Sequence, residues 1–552
     1  MPFNPRPYQS ECKESLRILF KSKVSDLPKL RIKGLSYEVK PKSDMERMIR
    51  SVMVVCPPGG GKGDVLCDLA AAHWRNGGKI LIWVHRVELC EDLGDRLSRT
   101  HGVPANEIGY IMAGVKENRK CRIQIASVMT KIGRDTSWFM PTLLLTDECH
   151  RILTPTQMTL LQRVGNPLIV AFTATPYNIR KDVQYSDVFD CLIQLATYME
   201  LMEKKFLMPP VVKYPEGAAS LDGVKIRMGD YVQADLEAAF MKERLYASVY
   251  SKWMEYTGGR WQTMVFSVGK SHNNETMEFF RARGVACCAI DDSTPPEERK
   301  RMVDKFKQGP FVKDPILVLF SIAIFVEGFD NHWVKCVIEN FATKSRTKLF
   351  QAAPRGSRPV WNHDYSDWMK IDGKYYKDKI TIIDFGGNHA RLGALELYDF
   401  FGFDLSGKAR EGDPPMKVCP ECRTMVYAAV MTCQQCGHVF PPPKPGDKKP
   451  FADEVEWKDL DKDQAIVKTI IGMKAKQAER VPTEQLRIVA LIRRENDAWV
   501  WKQLEPRGEY QQQGVFEWSN KPGSWKEYLE NLEKEKGTFP IYERLKSKRL
   551  SI

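Results

Sequence analysis

The sequence predicts an α/β protein: two tandem doubly wound parallel sheets, then a small cysteine-rich module and a partly helical C-terminal region. Three observations carry that expectation. Short β-branched runs alternate with amphipathic helical patterns, the alternation occurs twice, and after about residue 410 it gives way to two paired-cysteine turns. In the first series "SVMVVC", "KILIWVH", "CRIQIASV", "TLLLTDE" and "LIVAFTAT" each end at a polar or glycine-containing junction. Near-continuous apolar strands separated by helices belong to a parallel sheet covered on both faces. The second series follows "FLMPPVV" with "TMVFSV", "VACCAI", "ILVLFS", "KCVIENF" and "ITIIDFG", and helices such as "NNETMEFFRARG" lie between them. The chain divides on this reading into residues 1–198, 199–409, 410–440 and 441–552. Residues 21–50 and 358–379 read as insertions, the second with a "DGK" hairpin turn. The proline-rich "FPPPKPGDKKP" reads as an extended spacer.

Composition narrows the class. A chain of 552 residues is too long for one core, and 43% hydrophobic with 28% charged residues is ordinary for a globular protein. Lys and Arg number 83 against 70 Asp and Glu, a net +13 that favours a polyanionic partner. The start, "MPFNPRPYQSECKESL", has no apolar leader core, and no stretch approaches the ~20 apolar residues of a membrane span, so a soluble, cytoplasmic chain is expected. Most of the 14 cysteines sit singly in apolar runs, where a reduced thiol packs as a small hydrophobe.

The first strand runs into "CPPGGGKG", residues 56–63, and then a helix. Behind Pro58, glycines 59, 60 and 61 let backbone N–H groups converge on oxygen anions, the helix N-terminus adds its positive dipole end, and Lys62 can bridge outer phosphates. Two positions depart from the usual phosphate loop: Cys56 stands where a glycine is common, and Gly63 where a hydroxyl would ligate Mg²⁺. Magnesium keeps most of its water, so a water or the neighbouring Asp64 can take that place. Further on, "LLLTDECH" ends a buried strand with Asp147, Glu148 and, one residue beyond Cys149, His150. Adjacent carboxylates there can divide the labour, one anchoring a metal and the other orienting a water.

These elements, in this order, resemble the superfamily 2 helicases and translocases, specifically DEAD/DEAH-box relatives that begin with an "RPYQ" element. The resemblance spans roughly residues 5–400 and implies two RecA-like domains with ATP and Mg²⁺ between them. It implies that Gln9 reads the base with Tyr8 or Arg6 beside it, and that His150, Gly328 and Asp330 line the nucleotide site. His85 and Arg86 in "LIWVHRVEL", Ser127 in "IQIASVMT", and Ser267 and His272 in "VFSVGKSHN" are the implied nucleic-acid contacts. "TATP" at 173–176 is similar to the segment linking hydrolysis to strand movement, and "QAAPRGSRP" to the one that supplies arginine fingers, here Arg355 and Arg358. Pro354 replaces the family's glycine and is expected to stiffen that turn. The implied activity is ATP hydrolysis driving movement on nucleic acid, DNA favoured over RNA. The rival is a degenerate ATPase that acts as an ATP-gated clamp or recruits partners. A duplex translocase that separates no strands is a third reading.

"CPEC" and "CQQC" place Cys419, Cys422, Cys433 and Cys436 as two knuckles able to close a tetrahedral Zn²⁺ shell, with a hairpin "RTMVYAAVMT" between them and His438 in reserve. Similar ribbons follow the motor in some relatives, after a segment like "DFGGNHARLG". No chemical motif is legible in the last hundred or so residues.

Overall fold

The computed structural model describes residues 5–440 apart from 86, 179–181, 216–219, 228, 243–245, 323–330, 363–366, 400–401, 409–415, 428–430 and 434. The expectations for Arg86, Gly328, Asp330 and residues 441–552 lie outside the described residues. Of the described residues, those up to 408 belong to one compact unit and those from 416 to a second.

The first lobe is built on β1 (Leu35–Tyr37), β2 (Ser51–Val55), β3 (Ile80–Val84), β4 (Ile108–Ile111), β5 (Ile123–Ser127), β6 (Leu143–Thr146), β7 (Leu168–Thr173) and β8 (Cys191–Gln194). Their order is β1-β8-β2-β7-β6-β3-β5-β4, parallel throughout except for β1, which runs antiparallel to β8. Every residue of β2, β3, β5 and β6 is buried, as the unbroken apolar runs require. All five expected strands are present. β1, β4 and β8 went unforeseen because three or four residues are too few to show a period.

The second sheet contains β9 (Pro210–Lys213), β10 (Thr263–Ser267), β11 (Cys287–Ile290), β12 (Val318–Ser321), β13 (Cys336–Asn340) and β14 (Ile380–Asp384), ordered β11-β12-β10-β13-β14-β9 and wholly parallel. β9 comes from the stretch the sequence offers as a junction; its Pro210 opens an edge strand, where a missing N–H is tolerated. The "DGK" turn forms as expected: Asp372 (φ 50°) and Gly373 (φ 75°) connect Lys370–Ile371 to Lys374–Tyr375.

The sequence assigns everything to residue 409 to the second lobe; in the structure the described residues 395–399 and 402–408 also reach the first. Leu405 joins the core made by Met53, Val55 and Leu192. The Tyr398 hydroxyl donates to Ala174 O at 3.0 Å, and both carboxylate oxygens of buried Asp399 accept from Tyr198 N at 3.0 and 3.1 Å. Tyr398 also stacks on Phe350 of the second lobe, their ring centres 4.4 Å apart, so the described part of this tail is held by both lobes. Among the described residues no helix is long and apolar enough to cross a membrane.

Candidate nucleotide cleft and cysteine cluster

The phosphate loop leaves β2 and enters helix α1 (Lys62–Arg75). Gly59 and Gly61 have φ of 81° and 80°, which an L side chain resists, and a Cβ on Gly60 would collide with the Cys56 sulfur. Cys56 is fully buried, so the residue that departs from the usual loop packs beneath Gly60. Lys62 Nζ bonds Cys56 O at 3.2 Å, curling over the loop.

The "RPYQ" element braces this loop from below. Tyr8, 1% exposed, donates its hydroxyl to Gly60 O at 2.7 Å and packs edge-on against Phe206. A ring buried in this way cannot flank a base, which corrects that part of the expectation. Gln9 spans Arg6 N (2.8 Å) and Gly61 O (3.4 Å), and the Arg6 guanidinium lies 4.5 Å from the Phe206 ring centre. Phe206 carries no motif and is found only by tertiary contact.

Asp147 and Glu148 follow β6. Glu148 occupies the left-handed region (φ 53°, ψ 47°), a conformation that costs a non-glycine residue about 1–2 kcal/mol. That turn puts its carboxylate among partners from both lobes. His150 Nδ1 lies 3.3 Å from Oε2, and Gln351 of the second lobe donates to the same oxygen at 3.3 Å. Burial raises Asp147 above the ordinary carboxylate range, and the Glu148 charge adds to it. Burial pushes Glu148 the same way, but the His150 ring, Lys62 and Arg355 outweigh it and pull Glu148 below that range. The pair therefore contains one carboxylate held charged and one for which Lys62 and Arg96 only partly offset burial and the neighbouring charge.

The second lobe presents its arginines at this point. Helix α2 (Arg346–Ala352), N-capped by Ser345, runs into a 3₁₀ turn, Ala353–Gly356, whose fixed φ comes from Pro354. Arg355 is close enough to favour the charged form of Glu148. The Arg358 side chain passes the loop, its Cγ 3.5 Å from where a Cβ on Gly59 would stand, and Lys377 Nζ fixes the Arg358 carbonyl at 2.6 Å. Tyr198 of the first lobe and Ser357 share a 2.6 Å hydroxyl contact beside them. Lys62, Asp147, Glu148, Arg355 and Arg358 thus converge. Gln351 was missed, although it begins the motif that carries both arginines.

A cleft of about 1020 Å³ adjoins the acidic pair, lined by His150 and Tyr177 from the first lobe and by Ser267, Lys270 and Gln351 from the second. The implied nucleic-acid contacts divide here. Ser267 borders the cleft, and His85 pairs with Gln157 at 2.9 Å. Ser127 and His272 are 2% and 1% exposed. His272 faces Phe240 in the core, where burial drives its pKa down to about 4. The first turn of its helix, Lys270–Arg281, points His272 inward with Thr276, Met277 and Phe280.

In the second unit each C-x₂-C knuckle has its own hairpin. Met416–Val418 pairs with Met425–Tyr427 around the first, and Thr432 bridges Val439 around the second; the hairpin expected between the knuckles falls in part on residues 428–430, outside the described residues. Cys419 and Cys436 sulfurs are 3.6 Å apart and Cys422 and Cys433 3.7 Å, close to the ~3.8 Å edge of a tetrahedron with ~2.3 Å Zn–S bonds. All four sulfurs lie within 4.8 Å of one another, so this donor set fits zinc. His438 instead turns toward Glu421, at 3.8 Å, and is not part of the cluster.

Residues 2–178 match the family described as type III restriction enzyme, res subunit, and residues 249–359 match the helicase conserved C-terminal domain. With two parallel α/β lobes between which these motifs are divided, the chain belongs to the superfamily 2 helicases and translocases. A 51.5 kDa protein of Lactococcus phage (isolate 7-9) is 25% identical over 392 residues, 70% of this chain and 78% of that protein. "Putative ATP-dependent helicase IRC3" of Saccharomyces cerevisiae is 25% identical over 253 residues, 44% of this chain and only 36% of its own length. "The fragment structure of a putative HsdR subunit of a type I restriction enzyme" from Vibrio vulnificus YJ016 aligns over 77% of this chain and 71% of that one, with a TM-score of 0.49 and 18% identity.

Proposed function

We propose that this protein is a nucleic-acid-stimulated ATPase that moves on DNA as a helicase or translocase. The observation that carries the reading is Glu148: a carboxylate held charged beside the phosphate loop, touched by His150 from its own lobe and Gln351 from the other. Glycines 59–61 and Lys62 would hold the phosphates, and Asp147 would anchor Mg²⁺, relieving the burial that now raises it. When bound, the metal would supply neutralisation of phosphate charge. Glu148 would orient the attacking water and take up its proton, while Arg355 and Arg358 would steady the charge that builds on the terminal phosphate.

His150 and Gln351 both line the adjoining cleft and both reach Glu148. A strand in that cleft, gripped through its phosphates, would therefore sense whether the acid is correctly set. DNA is preferred because the matched family is named for a restriction-enzyme subunit. The cysteine cluster would hold a structural Zn²⁺, so metal analysis of purified protein should find about one zinc per chain, lost in Cys433→Ser.

Phosphate release with and without duplex, forked and single-stranded DNA or RNA tests the motor. Stimulation should occur and should fall about 10²-fold or more in Glu148→Gln, with nucleotide still bound. The glycine at 63 favours a second reading, an ATP-gated clamp; tight ATP-dependent strand binding with no turnover in the wild type would establish that instead.

A further inference from the structure

Position 63 poses a question that Mg²⁺ hydration alone does not answer. A Cβ built there would stand 3.2 Å from Arg96 Nη1 and 3.9 Å from its Cζ, closer than side chains normally pack. Arg96 belongs to helix α3 (Val87–Arg99) and arrives beside the N-terminus of α1 already oriented: Asp92 holds Nη2 at 2.9 Å and Asp64 holds Nη1 at 3.3 Å. The guanidinium is 28% exposed, neither sealed away nor free to wander. A glycine and an arginine from an element thirty residues later thus share the space that a Ser or Thr side chain would fill.

We infer that Arg96 takes the place of the absent hydroxyl, serving as a built-in cation of the phosphate site and making nucleotide binding less dependent on Mg²⁺. The chemistry separates the two solutions. A hydroxyl ligates the metal and contributes no charge. A guanidinium cannot ligate a cation, yet it is permanently charged and offers forked donors to phosphate oxygens. Placing it there exchanges metal anchoring for direct neutralisation. Gly63 is then the partner that admits Arg96, rather than a decayed residue. The competing account is that Arg96 merely ties α3 to α1 through Asp92 and Asp64, in which case its loss lowers stability and leaves the metal dependence of binding unchanged.

The inference rests on the nucleotide reading of this loop, and equilibrium binding of a fluorescent ATP analogue to the full chain, in saturating Mg²⁺ and in EDTA, tests both. The wild type should bind in both media. In Arg96→Gln, affinity in Mg²⁺ should change less than about threefold while affinity in EDTA falls about tenfold or more, the worth of one charge-assisted hydrogen bond. Gly63→Thr keeps Arg96 but displaces it, and should cause the same selective loss in EDTA. Adding Gly63→Thr to Arg96→Gln should leave tight binding only in Mg²⁺. Equal losses in both media, or none in either, would overturn the role of Arg96 while sparing the nucleotide site. Absence of wild-type binding in both media would remove the site itself. Gly63→Thr also decides the matter should Arg96→Gln fail to fold, since it deletes no ion pair.

Discussion

The molecule contains two clusters of two acids and a histidine that share a plan and differ in their surroundings. Asp147, Glu148 and His150 follow β6 in the first lobe; Glu339 and Asp384 sit near the ends of β13 and β14, and His389 in the short helix Asn388–Leu392 after them, in the second. In each, a histidine nitrogen approaches a glutamate, at 3.3 Å for His150 and 3.1 Å for His389. The second cluster is closed. All three of its residues are 0% exposed, Asn388 donates to Glu339 at 3.1 Å, and His389 N donates to Asp384 at 2.9 Å. Against its burial, the Glu339 charge and hydrogen bond push His389 up to about 9, so the cluster carries its own cation. The first is open on one side: its charge is met partly by Lys62 and by an arginine from the other lobe, and it borders a glycine loop and a cleft. Parallel topology delivers acids to the same strand ends in both lobes. Whether they become a site or a staple depends on whether the compensating cation is local or must come from elsewhere.

That contrast can be broken by experiment. The largest expected effect is Arg355→Ala, which should lower turnover about 10³-fold with little change in the unfolding midpoint, because its charge acts on Glu148 of the other lobe rather than in the core of its own. A kinetic assay paired with thermal melting checks it, and a stability loss without a turnover loss would make the two clusters alike. Next, Glu339→Gln should act in the opposite sense. Removing one member of a buried pair costs about 3–5 kcal/mol, so the second lobe should melt early while any surviving folded protein retains turnover.

The smallest effect concerns pH. His389 is raised above the ordinary histidine value, so its contribution to stability is complete below about pH 6.5 and is lost as pH rises through about 9. The melting temperature should fall across that window in the wild type and stay flatter in His389→Asn. A wild-type midpoint that climbs with pH over the same range would refute the closed, self-compensated description.

Much of this was legible beforehand, for identifiable reasons. β2, β3, β5, β6 and β7 announce themselves because a strand buried on both faces must be apolar throughout, and the loop at 56–63 because glycines, lysine and helix start are contiguous. The knuckles at 419–422 and 433–436 are read from spacing alone. His272 shows the limit: its motif suggested a surface contact, but helical phase turned it into the core. Gln351 and Phe206 escaped because what they touch, Glu148 and Tyr8, lies some two hundred residues away in the chain. The contacts of Tyr398 and Leu405 with the first lobe escaped because nothing local reveals which sheet will cover an apolar run.

The sequence by itself determined the two sheets, the loop, the acidic pair and the arginines, since each is a local pattern with a local physical cause. Tertiary structure alone decided that Cys56 packs under the glycines, that Arg96 fills the space beside Gly63, and that one acidic cluster is sealed within its lobe while its counterpart is met by side chains from both. Burial and charge compensation depend on what arrives from distant chain segments, and no window of neighbouring residues contains that information.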